Sequence, residues 1–391
     1  MEGNSYTDVF LRNNTAYLER LVHSKKSGFL FKVNPKLKKL YREYQETEGT
    51  DDEKNLACSK VLNAYEERLL WRLQILRRCT VEDLKLSLKH FRSRKTIDRS
   101  DRKAKDYYSV AVIVKNEGRY LREFILFYLA TGADRIYLYD NESTDDTMEV
   151  LAPFIEKGQV VYRKWPGRAV QAAAYRDAVR RTKKRTTWLA FIDADEFLFS
   201  PKGHMPEVLK AYEAYPGIGA NWLMYGPNGH EKRPEGLVMD NYTATIKDYG
   251  QPVNRHTKSI VRPKYFLCMY NPHYAIYKGG RYAVSEDLEN IDNYSSFSEQ
   301  AGRVFTKFNH RTVFRVNHYS TRSLEDLRVK CERGYPDGSA NAVFEEQLRI
   351  YRDPQTEDFT IRPYADLVRE SFGAMSEKAS ALSLDSRVLF E

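Results

Sequence analysis

The sequence predicts an α/β protein built on a largely parallel sheet, and three observations carry that reading. Between Tyr108 and Phe197, short apolar runs alternate four times with stretches of helical periodicity, joined by short connections. The last run, Trp188-Leu-Ala-Phe-Ile192, is apolar throughout, as a strand covered on both faces must be. It leads straight into Asp193-Ala-Asp-Glu196. Carboxylates at the C-terminal end of a buried strand stand where open α/β sheets hold their ligands.

Taken in order, Ser109-Val-Ala-Val-Ile-Val114 is the first strand, stopped by Lys115-Asn-Glu-Gly118. Leu121, Phe124, Ile125, Tyr128 and Leu129 then recur at helical spacing up to Gly132. Arg135-Ile-Tyr-Leu-Tyr139 is a second strand, ended by Asp140-Asn-Glu-Ser143. Ser143 or Thr144 is the expected cap of a helix through Val150, Leu151 and Ile155, closed by Gly158. Gln159-Val-Val-Tyr162 is the third strand, and a helix from about Val170 to Lys184 leads to the fourth.

Residues 1–105 read as a helical extension ending in a basic linker. Val61, Tyr65, Leu69, Leu73 and Leu76 mark one helix, and Thr80 with Asp83 resembles a capping box opening another. This extension is either a docking arm or a packing element. Residues 106–337 hold the α/β alternation and the acidic strand-end loops, and 338–391 return to helical spacing through Phe344, Leu348 and Tyr351, broken by Pro354 and Pro363.

The formal charge of +9 is uneven. Lys89–Lys105 contains eight Lys or Arg against Asp98 and Asp101, and Arg163–Arg185 contains nine against Asp177 alone. Such runs meet nucleic acid, an anionic membrane or phosphorylated substrates, or are solvated helix faces. No nucleic-acid motif accompanies them, so no nucleic-acid partner is expected. Cys58, Cys79, Cys268 and Cys331 show no metal or redox spacing, which predicts free thiols in a reducing compartment. The opening Met1-Glu-Gly-Asn-Ser-Tyr6 lacks a secretion pattern, and no run nears the ~20 apolar residues of a membrane span. The expectation is a cytoplasmic protein whose basic surface touches a membrane peripherally.

The strand-end loops define the candidate site. Asn116 and Glu117 follow the first strand, Asp140 and Asn141 the second, Asp193 and Asp195 the fourth. In extended backbone, Asp193 and Asp195 point the same way, and two hard oxygen ligands suit Mg²⁺ or Mn²⁺. A dinucleotide fold would need Gly-x-Gly-x-x-Gly after the first strand, where only Gly118 stands, and no phosphate-binding P-loop occurs. A nucleotide held by carboxylates, amides and a metal fits better.

These residues resemble glycosyltransferase family 92 and its neighbour family 2. The resemblance lies in Lys115-Asn-Glu-Gly-Arg-Tyr-Leu-Arg-Glu-Phe124, Tyr139-Asp-Asn-Glu-Ser-Thr-Asp-Asp146, Trp165-Pro-Gly167, Gln171…Tyr175-Arg-Asp-Ala178 and Phe191-Ile-Asp-Ala-Asp-Glu-Phe197. Later blocks continue it in order: Asn221-Trp-Leu-Met-Tyr-Gly-Pro-Asn-Gly-His230, Arg233-Pro-Glu-Gly-Leu237, Lys258-Ser-Ile-Val-Arg-Pro263 and Asn317-His-Tyr-Ser-Thr-Arg-Ser323 with Lys330 and Arg333-Gly334. Together they cover about residues 108–337. Tyr225-Gly-Pro-Asn-Gly229 departs from the expected Phe-Gly-Ser-Ser-Gly on the acceptor side.

The resemblance implies a GT-A fold with a nucleotide-sugar across the strand ends and Mn²⁺ or Mg²⁺ bridging its phosphates. It implies that Asp193 and Asp195 form the metal-binding Asp-x-Asp, with His318 reaching the metal or diphosphate. Asp140 would contact uracil or ribose, Asn116 and Glu117 would line the same pocket, and Gln171 and Arg176 would back it. It further implies a UDP-sugar donor, galactose or glucose, and a surface, capsular or lipid-linked glycan as acceptor. Inversion by direct displacement needs one general base, for which Glu286, Asp287 and Glu235 are the candidates. His256, His273 and His310 are expected in cores or at rims, while Trp222 and Tyr225 either stack on a sugar or belong to the core. The alternatives are a nucleic-acid- or anionic-surface-binding protein using the basic runs, and a phosphotransferase using the Asp-x-Asp pair.

Overall fold

The computed structural model describes residues 23, 35–47, 61, 104–167, 170–246, 252–271, 273–278, 281–291, 306, 309–333, 344–349, 351 and 355–374. The expected stripe from Tyr65 to Leu76, the capping box at Thr80, Cys58, Cys79 and most of the basic linker lie outside them. The chain divides into two compact units, Met1–Arg78 with Phe297–Ala301, and Cys79–Ser296 with Gly302–Glu391. In the first unit, helix α1 (Pro35–Gln45) buries Leu37, and the rings of Tyr41 and Tyr44 lie 5.9 Å apart.

The second unit opens with the predicted alternation. Strand β1 (Asp106–Val114) is followed by α2 (Gly118–Ala130), β2 (Arg135–Asp140), α3 (Thr147–Glu156), β3 (Val160–Lys164), α4 (Gln171–Thr182) and β4 (Thr186–Phe191). Every residue of β4 is buried, which is why its sequence carries no polar alternation. From β1 the chain steps outward to β2 and β3, then returns to place β4 on the other side of β1, all four parallel. Right-handed crossovers then put α4 on the face opposite α2 and α3. The reversal between β1 and β4 is a topological switch point, with a crevice at the C-terminal strand ends.

The sheet continues with β8 (Thr257–Val261), β6 (Gly217–Met224), β11 (Arg315–His318) and β5 (Glu196–Phe199), giving the order β3-β2-β1-β4-β8-β6-β11-β5. Strand β8 is antiparallel to both neighbours, β11 is parallel to β6, and β5 is antiparallel to β11. Strands β4 and β5 are consecutive in the chain yet stand four places apart in the sheet. The Asp193 carbonyl accepts the Glu196 N–H at 3.0 Å, so a tight turn joins them. Neighbouring strands are about 4.8 Å apart, so a flat sheet would hold these two strands too far apart for that turn. The sheet curls back on itself, and the acidic turn closes the curl. Residues 193–195 are thus a reversal, not the extended end of a strand expected from the sequence.

Smaller elements pack on this frame: α5 (Met205–Leu209), α6 (Val238–Asn241), the pair β9 (Phe266–Asn271) and β10 (Tyr274–Tyr277), α7 (Leu324–Arg333) and α8 (Phe344–Arg349). Strand β12 (Gln355–Glu357) pairs with β7 (Ala244–Ile246). A helix over 362–374 carries Pro363 in its first turn rather than breaking there, since proline suits a first helical turn. Its Tyr364, Ala365 and Val368 join the core with Phe124, Phe127, Phe197 and Tyr319.

Two local devices set the strand-end loops. A Cβ at Gly118 would stand 2.0 Å from the Asp146 Oδ1, so only glycine lets the loops after β1 and β2 approach this closely. Ser143 and Thr144 do not cap α3 as expected. The Ser143 Oγ accepts the Asn116 N–H at 2.9 Å, and the Thr144 N–H donates to the Asn116 Oδ1 at 2.8 Å. Helix α3 starts at Thr147, whose N–H and hydroxyl donate to Asp145.

Glu123 is buried on α2, where its carboxylate accepts the Val238 and Met239 N–H groups at the start of α6. Burial raises its pKa to about 7, against the lowering pull of those two backbone bonds. A raised folded-state value means the unfolded chain loses the proton first, so this group's stabilisation is complete below about pH 4.5 and is lost as pH rises toward 7. The expected result is that stability falls by about 2–3 kcal/mol across that window through this group. Glu123→Gln should flatten the slope, read by urea unfolding at pH 5 and pH 7.5; an unchanged slope would assign the pH dependence elsewhere.

Candidate active site

The strand-end edge is built from three stitched loops and one acidic turn. Asn116, at φ 53°, lies in the left-handed region that asparagine tolerates. Its contacts with Ser143 and Thr144 tie the first loop to the second. Asp140 accepts the Ser143 N–H at 2.9 Å and the Tyr162 hydroxyl at 2.8 Å, and the Asn141 amide donates to the Trp165 and Gly167 carbonyls. The predicted nucleotide contacts Asn116, Asp140 and Asn141 therefore share one framework, each braced by its neighbours.

Asp193 faces α4 and β8. Its Oδ1 accepts the Gln171 amide at 2.8 Å and the Tyr175 hydroxyl at 3.2 Å, and its Oδ2 lies 2.6 Å from the Lys258 ammonium. Lys258 is fully buried on β8 and also lies 3.1 Å from the Glu196 Oε2, which takes the Asp193 N–H as well. Burial raises the Glu196 pKa; Lys258 opposes that rise, and the adjacent Asp193 and Asp195 add to it. Burial by itself would favour neutral Lys258, yet its two carboxylates hold it protonated. Buried Lys258 and Glu196 and half-buried Asp193 form one charge network, positioned from the other side by Tyr128, whose hydroxyl donates to the Glu196 carbonyl at 2.8 Å.

Asp195 faces the other way, toward β11 and α7. Its Oδ2 lies 2.5 Å from the Lys330 ammonium, and its Oδ1 lies 3.5 Å from the His318 Nε2. Burial would raise the Asp195 pKa, but Lys330 and His318 hold it well below the usual carboxylate range. Burial lowers the His318 pKa, so its imidazole is neutral near pH 7. Arg322 donates to the Glu117 Oε2 at 2.8 Å and to the Ala194 carbonyl at 3.1 Å, and Arg333 donates to the Glu117 Oε1 at 2.9 Å. Glu117 therefore anchors two guanidinium groups beside the turn rather than standing open to a ligand. Four cations, Lys258, Arg322, Lys330 and Arg333, surround four carboxylates, Glu117, Asp193, Asp195 and Glu196.

A neutral imidazole and a carboxylate oxygen 3.5 Å apart suit one divalent cation. Asp195 Oδ1 and His318 Nε2 fit that role, whereas both oxygens of Asp193 already carry hydrogen bonds. Glu286, Asp287 and His310 also hold their ligand atoms within 4.8 Å of one another. Glu286, however, accepts the Thr312 N–H and hydroxyl and the N–H groups of Val313 and Phe314, with both oxygens used. It brackets the approach to β11. Asp287 lies 2.8 Å from the His310 Nδ1, and Glu235, almost fully exposed, lies 3.2 Å from Arg119 at the start of α2. Among the described residues, no hydrogen bond or ion pair joins Glu286, Asp287 or Glu235 to the acidic turn. Arg176 lies on α4, half-buried, five residues beyond Gln171.

Trp222 packs among imidazoles: its ring centroid lies 4.4 Å from that of His318 and 4.9 Å from those of His256 and His273. Tyr225 is buried, accepting from Arg315 and packed on Tyr319. Both aromatics are buried in the core. Sequence reasoning missed Lys258, Lys330, Arg322 and Arg333 as members of the site. All four lie in family-like blocks, but a lone basic residue carries no spacing signal.

Residues 108–333, more than half of the chain's 391, match the model of Glycosyltransferase family 92. A family 92 protein of Oryza sativa subsp. japonica is 35% identical over 159 residues, 39% of this chain and 26% of the relative. One of Ricinus communis is 24% identical over 292 residues, 70% of this chain and 49% of the relative. The chain thus spans half or less of the length of these curated relatives. Among solved structures, S. aureus TarS 1–349 in complex with UDP-GlcNAc has a TM-score of 0.30 at 14% identity, covering 62% of this chain and 70% of that one. The mannosyltransferase PcManGT of Pyrobaculum calidifontis, in complex with GDP-Man and Mn²⁺, has a TM-score of 0.24 at 16% identity, covering 36% and 44%.

Proposed function

The chain belongs to glycosyltransferase family 92, and from that premise we propose that it moves a hexose from a UDP-sugar to a glycan hydroxyl with inversion, in a metal-dependent reaction. The observation that carries this reading is the turn at Asp193–Asp195, closing the strand-end crevice with a neutral His318 and four cations around it. The donor's diphosphate would lie against Lys330, Arg322 and Arg333, whose charges balance the negative charge that grows as the sugar leaves. Asn116, Asp140 and Asn141 would line the uridine side, their geometry fixed by the stitched loops.

A divalent ion, when bound, would be held by Asp195 and His318 and would act as a Lewis acid on the diphosphate. The acceptor hydroxyl attacks the anomeric carbon, the bond from that carbon to the diphosphate breaks, and the hydroxyl proton passes to a carboxylate. We assign that carboxylate to Asp287, with His310 beside it to stabilise the transferred proton; Glu235 is the rival. Galactose is the first donor to test and glucose the second, with a surface, capsular or lipid-linked glycan as acceptor. No helix among the described residues is long and apolar enough to cross a membrane. Peripheral contact through the basic runs belongs to the same proposal.

The test is thermal shift and calorimetry with UDP, GDP and CMP, with and without Mn²⁺. UDP alone among the three should bind, and only with Mn²⁺. A protein that binds no nucleotide under any of these conditions would overturn the reading. Asp287→Asn should then lower kcat by about 10²–10⁴-fold at unchanged UDP affinity, the range for a general base. A larger fall in Glu235→Gln would transfer the role.

A further inference from the structure

The two lysines on the acidic turn differ in kind. Lys258 is fully buried, sits on a central strand and bridges two carboxylates. Lys330 lies on α7 with about a fifth of its side chain exposed, and its ammonium contacts the Asp195 Oδ2 and the Ser320 carbonyl at 3.0 Å. A lysine on a helix carries its ammonium on a flexible four-carbon stem, with three rotatable donors. The other oxygen of the same carboxylate faces His318. One carboxylate therefore serves both an internal ammonium and the pair of atoms suited to a divalent ion. Two cations on one carboxylate repel each other.

We infer that Lys330 is an exchangeable internal cation: it neutralises Asp195 before the donor arrives and moves onto the donor's diphosphate when nucleotide binds. The inference rests on the transferase reading above and adds a positioning residue that couples the two ligands. While Lys330 holds Asp195, a divalent ion meets a site already carrying a positive charge. Once a diphosphate draws the ammonium away, Asp195 is released to the ion. Arg322 and Arg333 pair with Glu117 rather than with Asp195, so their movement would not release the carboxylate of the turn. Metal and nucleotide then load together, and linkage requires the effect to be reciprocal.

The experiment is calorimetry of Mn²⁺ binding to the full chain, with and without saturating UDP, for wild type, Lys330→Met and Lys330→Arg. Lys330→Met should bind Mn²⁺ alone about tenfold more tightly than wild type, and UDP should strengthen Mn²⁺ binding less in this variant. Lys330→Arg, which keeps the charge, should follow wild type. Equal Mn²⁺ affinities of wild type and Lys330→Met without UDP would overturn the inference while leaving the transferase reading intact, provided UDP binds. Loss of all UDP binding in wild type would instead overturn the reading beneath it. Should Lys330→Met not fold, Lys330→Gln, which keeps a hydrogen bond to Asp195, carries the same comparison.

Discussion

Asp195→Asn is expected to reduce transfer by about 10²–10³-fold, the usual loss when one group stabilising transition-state charge is removed. The change keeps the shape of the side chain and leaves the backbone bond from the Tyr319 N–H to the residue 195 carbonyl in place. It removes the charge that pairs with Lys330 and turns one of the two oxygens, which face Lys330 and His318, into an amide NH2. Mn²⁺-dependent UDP binding should fall with the rate, and the unfolding midpoint should fall as well, because the pairing that holds the Asp195 carboxyl ionised is lost. Initial rates with UDP-galactose and calorimetry on the same preparation read both. A variant within fivefold of wild type in rate and in Mn²⁺-dependent binding would show that the turn serves the fold and not the chemistry.

The second large effect falls on stability. Lys258→Met leaves Asp193 and Glu196 without the ammonium they share, and removing one partner of a buried ion pair costs about 3–5 kcal/mol. Guanidinium unfolding should show that loss at pH 8. The loss should be smaller at pH 5, where the acid whose pKa is already raised, Glu196, takes up a proton. Adding Glu196→Gln should recover part of it, because the double variant removes a buried charge rather than exposing one. A loss under 1 kcal/mol would mean that water reaches the network and that its burial does not govern stability.

The α/β alternation was readable because apolar runs and helical spacing report burial directly, and the four strands β1–β4 lie where that spacing places them. The acidic stretch was readable as a site because three carboxylates cannot end a buried strand without counter-charges. Which counter-charges they use was not readable. Lys258 reaches Asp193 across 65 residues and Lys330 reaches Asp195 across 135, and no local pattern encodes such pairings. The turn itself was misread as extended backbone, since only the sheet order shows that β4 and β5 must be joined across the curl. Glu286 looked like half of a catalytic pair because sequence cannot show that its oxygens already carry four hydrogen bonds.

The closed curl gives the site a mechanical character. The turn of residues 193–195 ties the parallel half of the sheet to its far edge, with Asp193 fastened to α4 and β8 and Asp195 to β11 and α7. Each carboxylate thus reports the position of a different half of the molecule. The turn acts as a clasp: it cannot open locally while both halves stay packed, and it cannot keep its shape once either half comes away.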